Sequence, residues 1–160
     1  MQPIPVNAFA SHLLACAVTM LTVACAQSQS PAAVAARYEG GLDWKAATAV
    51  RGDFTCRGQA EHAVLGIGGG QIVVAIFAEG LDQRPTLLRF PATMRDPATS
   101  TLTVETLDID LDRLSIEIGV RPDGLRPSKA CKGLNLSDGK VDSAHIYWNH
   151  AAGRFAAWSL

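Results

Sequence analysis

HAVLGIGGGQIVVAIF, residues 62–77, decides the fold class. Two apolar runs of strand length flank three glycines, and glycine supplies the positive φ that a tight hairpin turn requires. The stretch therefore predicts an antiparallel hairpin. Working outward, TLLRF at 86–90 reads as a further short strand closed by Pro91, and RDPATS at 95–100 has the composition of a loop. In TLTVETLDIDL, residues 101–111, Leu102 and Val104 share one parity while Leu107, Ile109 and Leu111 share the other. A strand with one buried face changes parity by inserting a residue, so a bulge is expected near Glu105 or Thr106. Leu114, Ile116, Ile118 and Val120 then alternate, which makes DLDR, residues 110–113, the turn of a second hairpin. RPDGLRPSKACKG at 121–133 is a Pro- and Gly-rich loop leading into Cys131, and HIYW, NHAAG and RFAAWSL over 145–160 form a third hairpin. On the N-terminal side Asp43 caps a short helix over WKAATAV, residues 44–50, which Gly52 ends. The expected fold is mainly β: a small antiparallel sheet or sandwich of about three hairpins with one short N-terminal helix.

The 160-residue chain is long enough for one globular core. Fourteen Lys plus Arg against fifteen Asp plus Glu leave no basic excess to neutralise phosphates, so no nucleic-acid partner is expected. No Lys, Arg, Asp or Glu precedes Arg37, and LLACAVTMLTVACA at 13–26 is an apolar run too short to span a bilayer. Ala24 and Ala26 flank Cys25 in an A-x-A arrangement that places signal-peptidase cleavage after Ala26, although no positive charge precedes the run. Cys25 also permits a lipoprotein reading in which the thiol is lipidated, with Thr22 where a branched aliphatic is usual; only in that reading is a membrane a partner. The expected organisation is a signal peptide over 1–26, a flexible leader over 27–37 and a single β-rich domain over 38–160. Localisation is then periplasmic or extracellular, or lipid-anchored through Cys25.

Cys16 lies inside the apolar run, so cleavage leaves Cys56 and Cys131 as the pair certain to remain, and export favours their oxidation to a disulfide. Neither belongs to a C-x-x-C, which argues against a thiolate metal site.

Two stretches repeat one another. Gly58 is followed three residues later by Glu61, AVLGI, a turn and QIVVAIF; Gly139 is followed three later by Asp142, AHIYW, a turn and RFAAWSL. The unit GDFTCRGQAEHAVLGI resembles the start of an FG-GAP or VCBS-type repeat, the strand-loop-strand element of integrin-like propellers. On that resemblance Asp53, Thr55, Arg57, Gly58 and Glu61 take the loop positions of the first copy, and Leu134, Leu136, Asp138, Gly139 and Asp142 those of the second. The family's loops bind calcium, which needs six to eight oxygen ligands. Arg57 in one loop and Leu134 and Leu136 in the other depart from that requirement, so no metal or other cofactor is expected. Gly and Asp also shape turns for backbone reasons alone. The chain as a whole is similar to small secreted proteins of proteobacterial type with a degenerate form of this element, a resemblance that implies no particular activity.

Glu61, His62, Asp142, His145 and His150 form the one grouping of carboxylates and histidines with acid-base or metal-binding potential. His145 is odd-spaced from Asp142 and faces the other side of a strand. Arg51-Gly52-Asp53 spells an adhesion tripeptide, but Asp53 serves better as a turn former. GIGGG at 66–70 precedes a strand rather than the helix a phosphate loop requires. No G-x-S-x-G elbow is present. Tyr147, Trp148, Phe155 and Trp158 cluster in the last hairpin and could offer an aromatic patch to a sugar or a protein. The candidate binding surface is Asp53, Glu61, His62, Asp138, Asp142, Tyr147 and Trp148, for an unknown protein or glycan ligand. The sequence thus points to a non-enzymatic extracytoplasmic binding or envelope-associated module. Two alternatives stand beside it: a secreted inhibitor of a cell-wall hydrolase, since FTCRG at 54–58 resembles a segment of one lysozyme-inhibitor family, and a small hydrolase using Glu61, His62 and Asp142.

Overall fold

A computed structural model of the chain describes residues 29–93, 95–141 and 143–159. The expected signal peptide, with Cys16, Cys25 and the Ala24–Ala26 motif, lies outside the described residues, as does Asp142. Helix α1 (Pro31–Tyr38) leads into strands β1 (Asp43–Gly52), β2 (Glu61–Gly68), β3 (Gln71–Phe77), β4 (Thr86–Pro91) and β5 (Thr101–Leu107); helix α2 (Leu111–Ile118) and strands β6 (Ser128–Ser137), β7 (Ala144–Asn149) and β8 (Arg154–Trp158) follow. The strands form two four-stranded antiparallel sheets in sequential order, β1-β2-β3-β4 and β5-β6-β7-β8. Of the small antiparallel sheet or sandwich expected from the sequence, the mainly β sandwich is what forms.

Between the sheets lies one core. Ala63, Leu65, Ile72, Val74 and Ile76 from the first sheet meet Leu102, Leu134, Leu136, Ile146 and Phe155 from the second. The opposite face of the first sheet is also covered, because Val64, Ala75 and Phe77 pack against Ala32, Val34 and Ala35 of α1. That double burial explains why β2 and β3 read as continuous apolar runs instead of alternating ones. The outer face of the second sheet carries a third core, in which Leu107, Cys131 and Tyr147 pack against Leu114 of α2 and Leu125 of the following loop.

Three expectations are corrected by the structure. Residues 31–37, assigned to the flexible leader, belong to α1: the Ser30 hydroxyl caps it by accepting from Ala33 N at 3.2 Å, and Pro31 opens it. Small side chains make this packing close, and Val34 and Ala35 are fully buried. The helix expected over WKAATAV is instead part of β1. Its Lys45 pairs with Leu65 and its Val50 with Ala63, so the Ala-rich residues 46–49 bulge out opposite Val64. Thr48 pins the bulge, its hydroxyl accepting from Leu65 N at 3.1 Å.

The second hairpin, expected to turn at DLDR, is also replaced. Asp110 accepts from Asp112 N and Arg113 N, and Gly119 at φ 75° stops the turn, so caps at both ends make residues 111–118 a helix. Leu114 is buried there while Ile116 is 83% and Val120 64% exposed, which a common buried strand face would forbid. The irregularity expected near Glu105 or Thr106 is present, and the parity change itself reflects two cores, since Leu102 faces the core between the sheets and Leu107 the outer core. The register does shift between Thr106 and Leu107, with the extra residues on β6.

Candidate functional site

The loop from β1 to β2 is built around Glu61, which is 3% exposed. Its Oε2 accepts from Phe54 N at 3.1 Å and Thr55 N at 3.0 Å. Its Oε1 accepts from the Thr55 hydroxyl and from Arg57 Nη2 at 3.2 Å. All four acceptor sites of the carboxylate are therefore used inside the protein. Arg57 continues the network to Glu79 Oε1 at 2.7 Å, and the bond to Glu79, followed by that to Glu61, raises the guanidinium pKa further. Asp53 closes the same loop by accepting from Arg57 N at 2.9 Å and Gly58 N at 2.8 Å. Cys56, at φ 62°, turns the chain so that its sulfur reaches Cys131. The resulting disulfide ties the first sheet's loop to β6 of the second.

The corresponding loop between β6 and β7 is organised by Asp138. Its Oδ2 accepts from Asp96 N at 2.7 Å, and its Oδ1 from Lys140 N at 2.9 Å and Val141 N at 3.1 Å. These peptide donors, that of Asp96 first, lower its pKa to about 2. Leu134 and Leu136 are fully buried in β6, so they do not occupy loop positions. Calcium does not fit either loop. In the first the Arg57 guanidinium already pairs with Glu61 while Asp53 is taken up by two peptide donors, and in the second two of the matching positions are core leucines.

The other sequence candidates disperse. His62 sits opposite Phe77 and Arg51 on β2, adjacent to Glu61 and therefore on the other face of the strand. Burial, then the Arg51 charge, lowers its pKa. His150 lies in the β7–β8 turn, where its N donates to Gly124 O at 3.0 Å. Tyr147 is buried in the outer core and its hydroxyl donates to Asp123 O at 2.9 Å. Trp148 packs against the core between the sheets, edge-on to Phe155 at 5.0 Å. Neither ring forms a surface patch, because the strands place Tyr147 and Trp148 against two different cores.

His145 has a different setting. On the outer face of the second sheet its Nδ1 donates to Glu105 Oε2 at 2.8 Å, and its ring stacks on Trp158 with centroids 3.9 Å apart and planes 11° from parallel. Stacking follows from register, since His145 and Trp158 are paired across β7 and β8. Glu105 comes from β5 and reaches over Gly133 of β6: a Cβ there would lie 3.2 Å from Glu105 Cγ and 2.8 Å from Leu107 Cδ2. The three side chains line a cleft of about 380 Å³, walled by Thr106, Asp108, Ile109, Asp110 and the α2 residues Arg113, Leu114 and Glu117. Glu105 Oε1 and Trp158 Nε1 are buried without a hydrogen-bond partner. The lining has no Ser, Cys or Lys, and its one hydroxyl, that of Thr106, accepts from Asp108 N at 3.3 Å. Among the described residues no group of three or more His, Cys, Asp or Glu is placed to hold a metal ion.

Comparison of the chain with protein-family models, with curated proteins and with solved structures finds no match.

Proposed function

We propose that the protein is a non-enzymatic binding module acting outside the cytoplasm, secreted or envelope-associated, and that its ligand seat is the cleft floored by Glu105, His145 and Trp158. The observation that carries this reading is that the hydrogen-bonded Glu105–His145 pair and the Trp158 indole stacked on it line one concave surface. The cleft volume of about 380 Å³ falls in the range of small-molecule sites. Binding rather than catalysis is favoured because the His–carboxylate pair has no nucleophile beside it. The carboxylate of the alternative hydrolase reading, Glu61, is spent on its own loop. The Cys56–Cys131 disulfide is compatible with an oxidising compartment, in keeping with the apolar leader.

The test is a thermal-shift and tryptophan-fluorescence screen of protein processed and oxidised by the cell, against envelope fragments and small metabolites. A ligand whose effect is lost in Glu105→Gln supports the reading. If every ligand found acts equally on wild type and on Glu105→Gln and Trp158→Phe, the cleft is not the seat. Intact mass of envelope fractions tests location: a chain starting at Gln27, or a lipidated one at Cys25, is expected, and a full-length cytoplasmic chain overturns it.

A further inference from the structure

We infer that residues 110–121, with α2 as their body, form a lid on the outer face of the second sheet that opens as one unit while both sheets stay intact. The lid stands whether or not the cleft beneath it is the ligand seat. Its first support is the way the segment is attached. Among the described residues, every hydrogen bond and ion pair of 110–121 stays inside the segment: Asp110 caps the helix, Ser115 donates to Leu111 O, Arg113 pairs with Glu117 and Arg121 with Asp112. What holds the segment to the sheet is apolar contact, in which Leu114 is the one buried side chain and Leu111 and Ile118 are partly buried. Ile116 and Val120 face water and add nothing to the attachment.

Both ends of the segment are fixed, which makes it a lid and not a fraying end. Before it, Leu107 closes β5 in register with Ser128. After it, Asp123 O accepts from the Tyr147 hydroxyl at 2.9 Å and Gly124 O from His150 N at 3.0 Å. A Cβ on Gly124 would lie 1.9 Å from Asn149 Oδ1, so the chain is clamped closely against the end of β7. Between clamp and helix, Gly119 at φ 75° supplies the hinge. The second support lies underneath. Trp158 packs in the same apolar cluster as Leu114, and Glu105, Leu114 and Trp158 line one cleft. Glu105 Oε1 and Trp158 Nε1 are buried there without a partner. Buried polar groups are normally paired, so two left dry penalise the closed arrangement, and opening gives each of them water. A segment latched by one buried side chain over two unsatisfied groups belongs to the low-stability end of a fold.

Native-state hydrogen exchange, followed by NMR on protein processed and oxidised by the cell, tests the lid. The Trp158 indole N–H has no hydrogen bond and is protected by burial alone, so it reports the uncovering directly. It is expected to exchange together with the amides of 114–118, at least about tenfold faster than the slowest amides of β6 and β7. Low urea should speed those sheet amides while leaving the lid group nearly unchanged, because opening the lid exposes little surface. Leu114→Ala is expected to quicken the helix amides and the indole together by at least about tenfold. Ile116→Ala should leave both within about threefold of wild type. Helix amides as slow as those of β6 overturn the lid. Fast helix amides beside an indole as protected as the sheet overturn it too, since the helix then frays without uncovering what lies beneath. Equal quickening by Leu114→Ala and Ile116→Ala overturns Leu114 as the latch. Should Leu114→Ala fail to fold, the grouping of rates in the wild type decides alone.

Discussion

Removing the carboxylate of Glu61 tests whether this acid builds a loop or performs chemistry. In Glu61→Ala, Phe54 N and Thr55 N lose acceptors that now stand at 3.1 and 3.0 Å in a buried setting. Each buried N–H left unpaired costs about 1–3 kcal/mol. The Thr55 hydroxyl, on a residue only 4% exposed, loses its acceptor as well. The Arg57 contact adds little, because that guanidinium is 43% exposed and keeps Glu79. The expected loss is about 3–5 kcal/mol, a large fraction of the stability of a chain this size. Glu61→Gln behaves differently. Its amide oxygen still serves the two peptide donors, and its NH2 can donate to Thr55 Oγ1 but offers nothing to Arg57. One charge-assisted bond is lost and one weakened, so about 1.5–3 kcal/mol is expected. Thermal unfolding of oxidised protein followed by circular dichroism should rank wild type above Gln above Ala, with a Tm loss of about 3–5 °C per kcal/mol. A loss below about 1 kcal/mol for the alanine variant, or Gln matching wild type, would refute the loop-clamp assignment and make Glu61 a free acid again.

Other consequences are equally direct. Asp138 has a folded pKa of about 2 against an ordinary 3.8, so between those values the unfolded chain binds more protons and stability falls as pH drops from about 4 towards 2. Asp138→Asn should flatten that acid limb of the stability–pH curve, and an unchanged limb would show that the loop carboxylate is not its source. Breaking the disulfide with Cys56→Ser and Cys131→Ser together releases a crosslink between residues 75 apart, for which loop-closure entropy gives about 4 kcal/mol; urea unfolding should show the loss, and an unchanged midpoint would contradict it. Melting curves with about 1 mM calcium and with chelator should coincide, whereas stabilisation by several degrees at micromolar calcium would show that the Asp53 or Asp138 loop forms an ion site.

Local chemistry carried much of this fold in the sequence alone. Apolar β-branched runs around GGG placed β2 and β3, the NHAAG turn placed β7 and β8, and the two cysteines left by the expected cleavage form the disulfide seen. Asp53 and Asp138 shape turns, as their residue types suggest. Periodicity reports that a face is buried but not what buries it. Tertiary structure alone decided that α1 covers one outer face and α2 packs on the other, and this turned the parity change after Val104 into a change of core. For the same reason the short-range alternation of Leu114, Ile116 and Ile118 lost to the Asp110 and Gly119 caps, since a helix presenting Leu114 satisfies the outer core and leaves Ile116 in water. The candidate site was the least legible part. Glu105 and His145 are 40 residues apart and meet only because the β5-β6-β7 register brings them to one face and Gly133 clears the way between them. A side chain's own neighbours in the chain fix which way it points; its partners across a sheet are set by the packing of the whole.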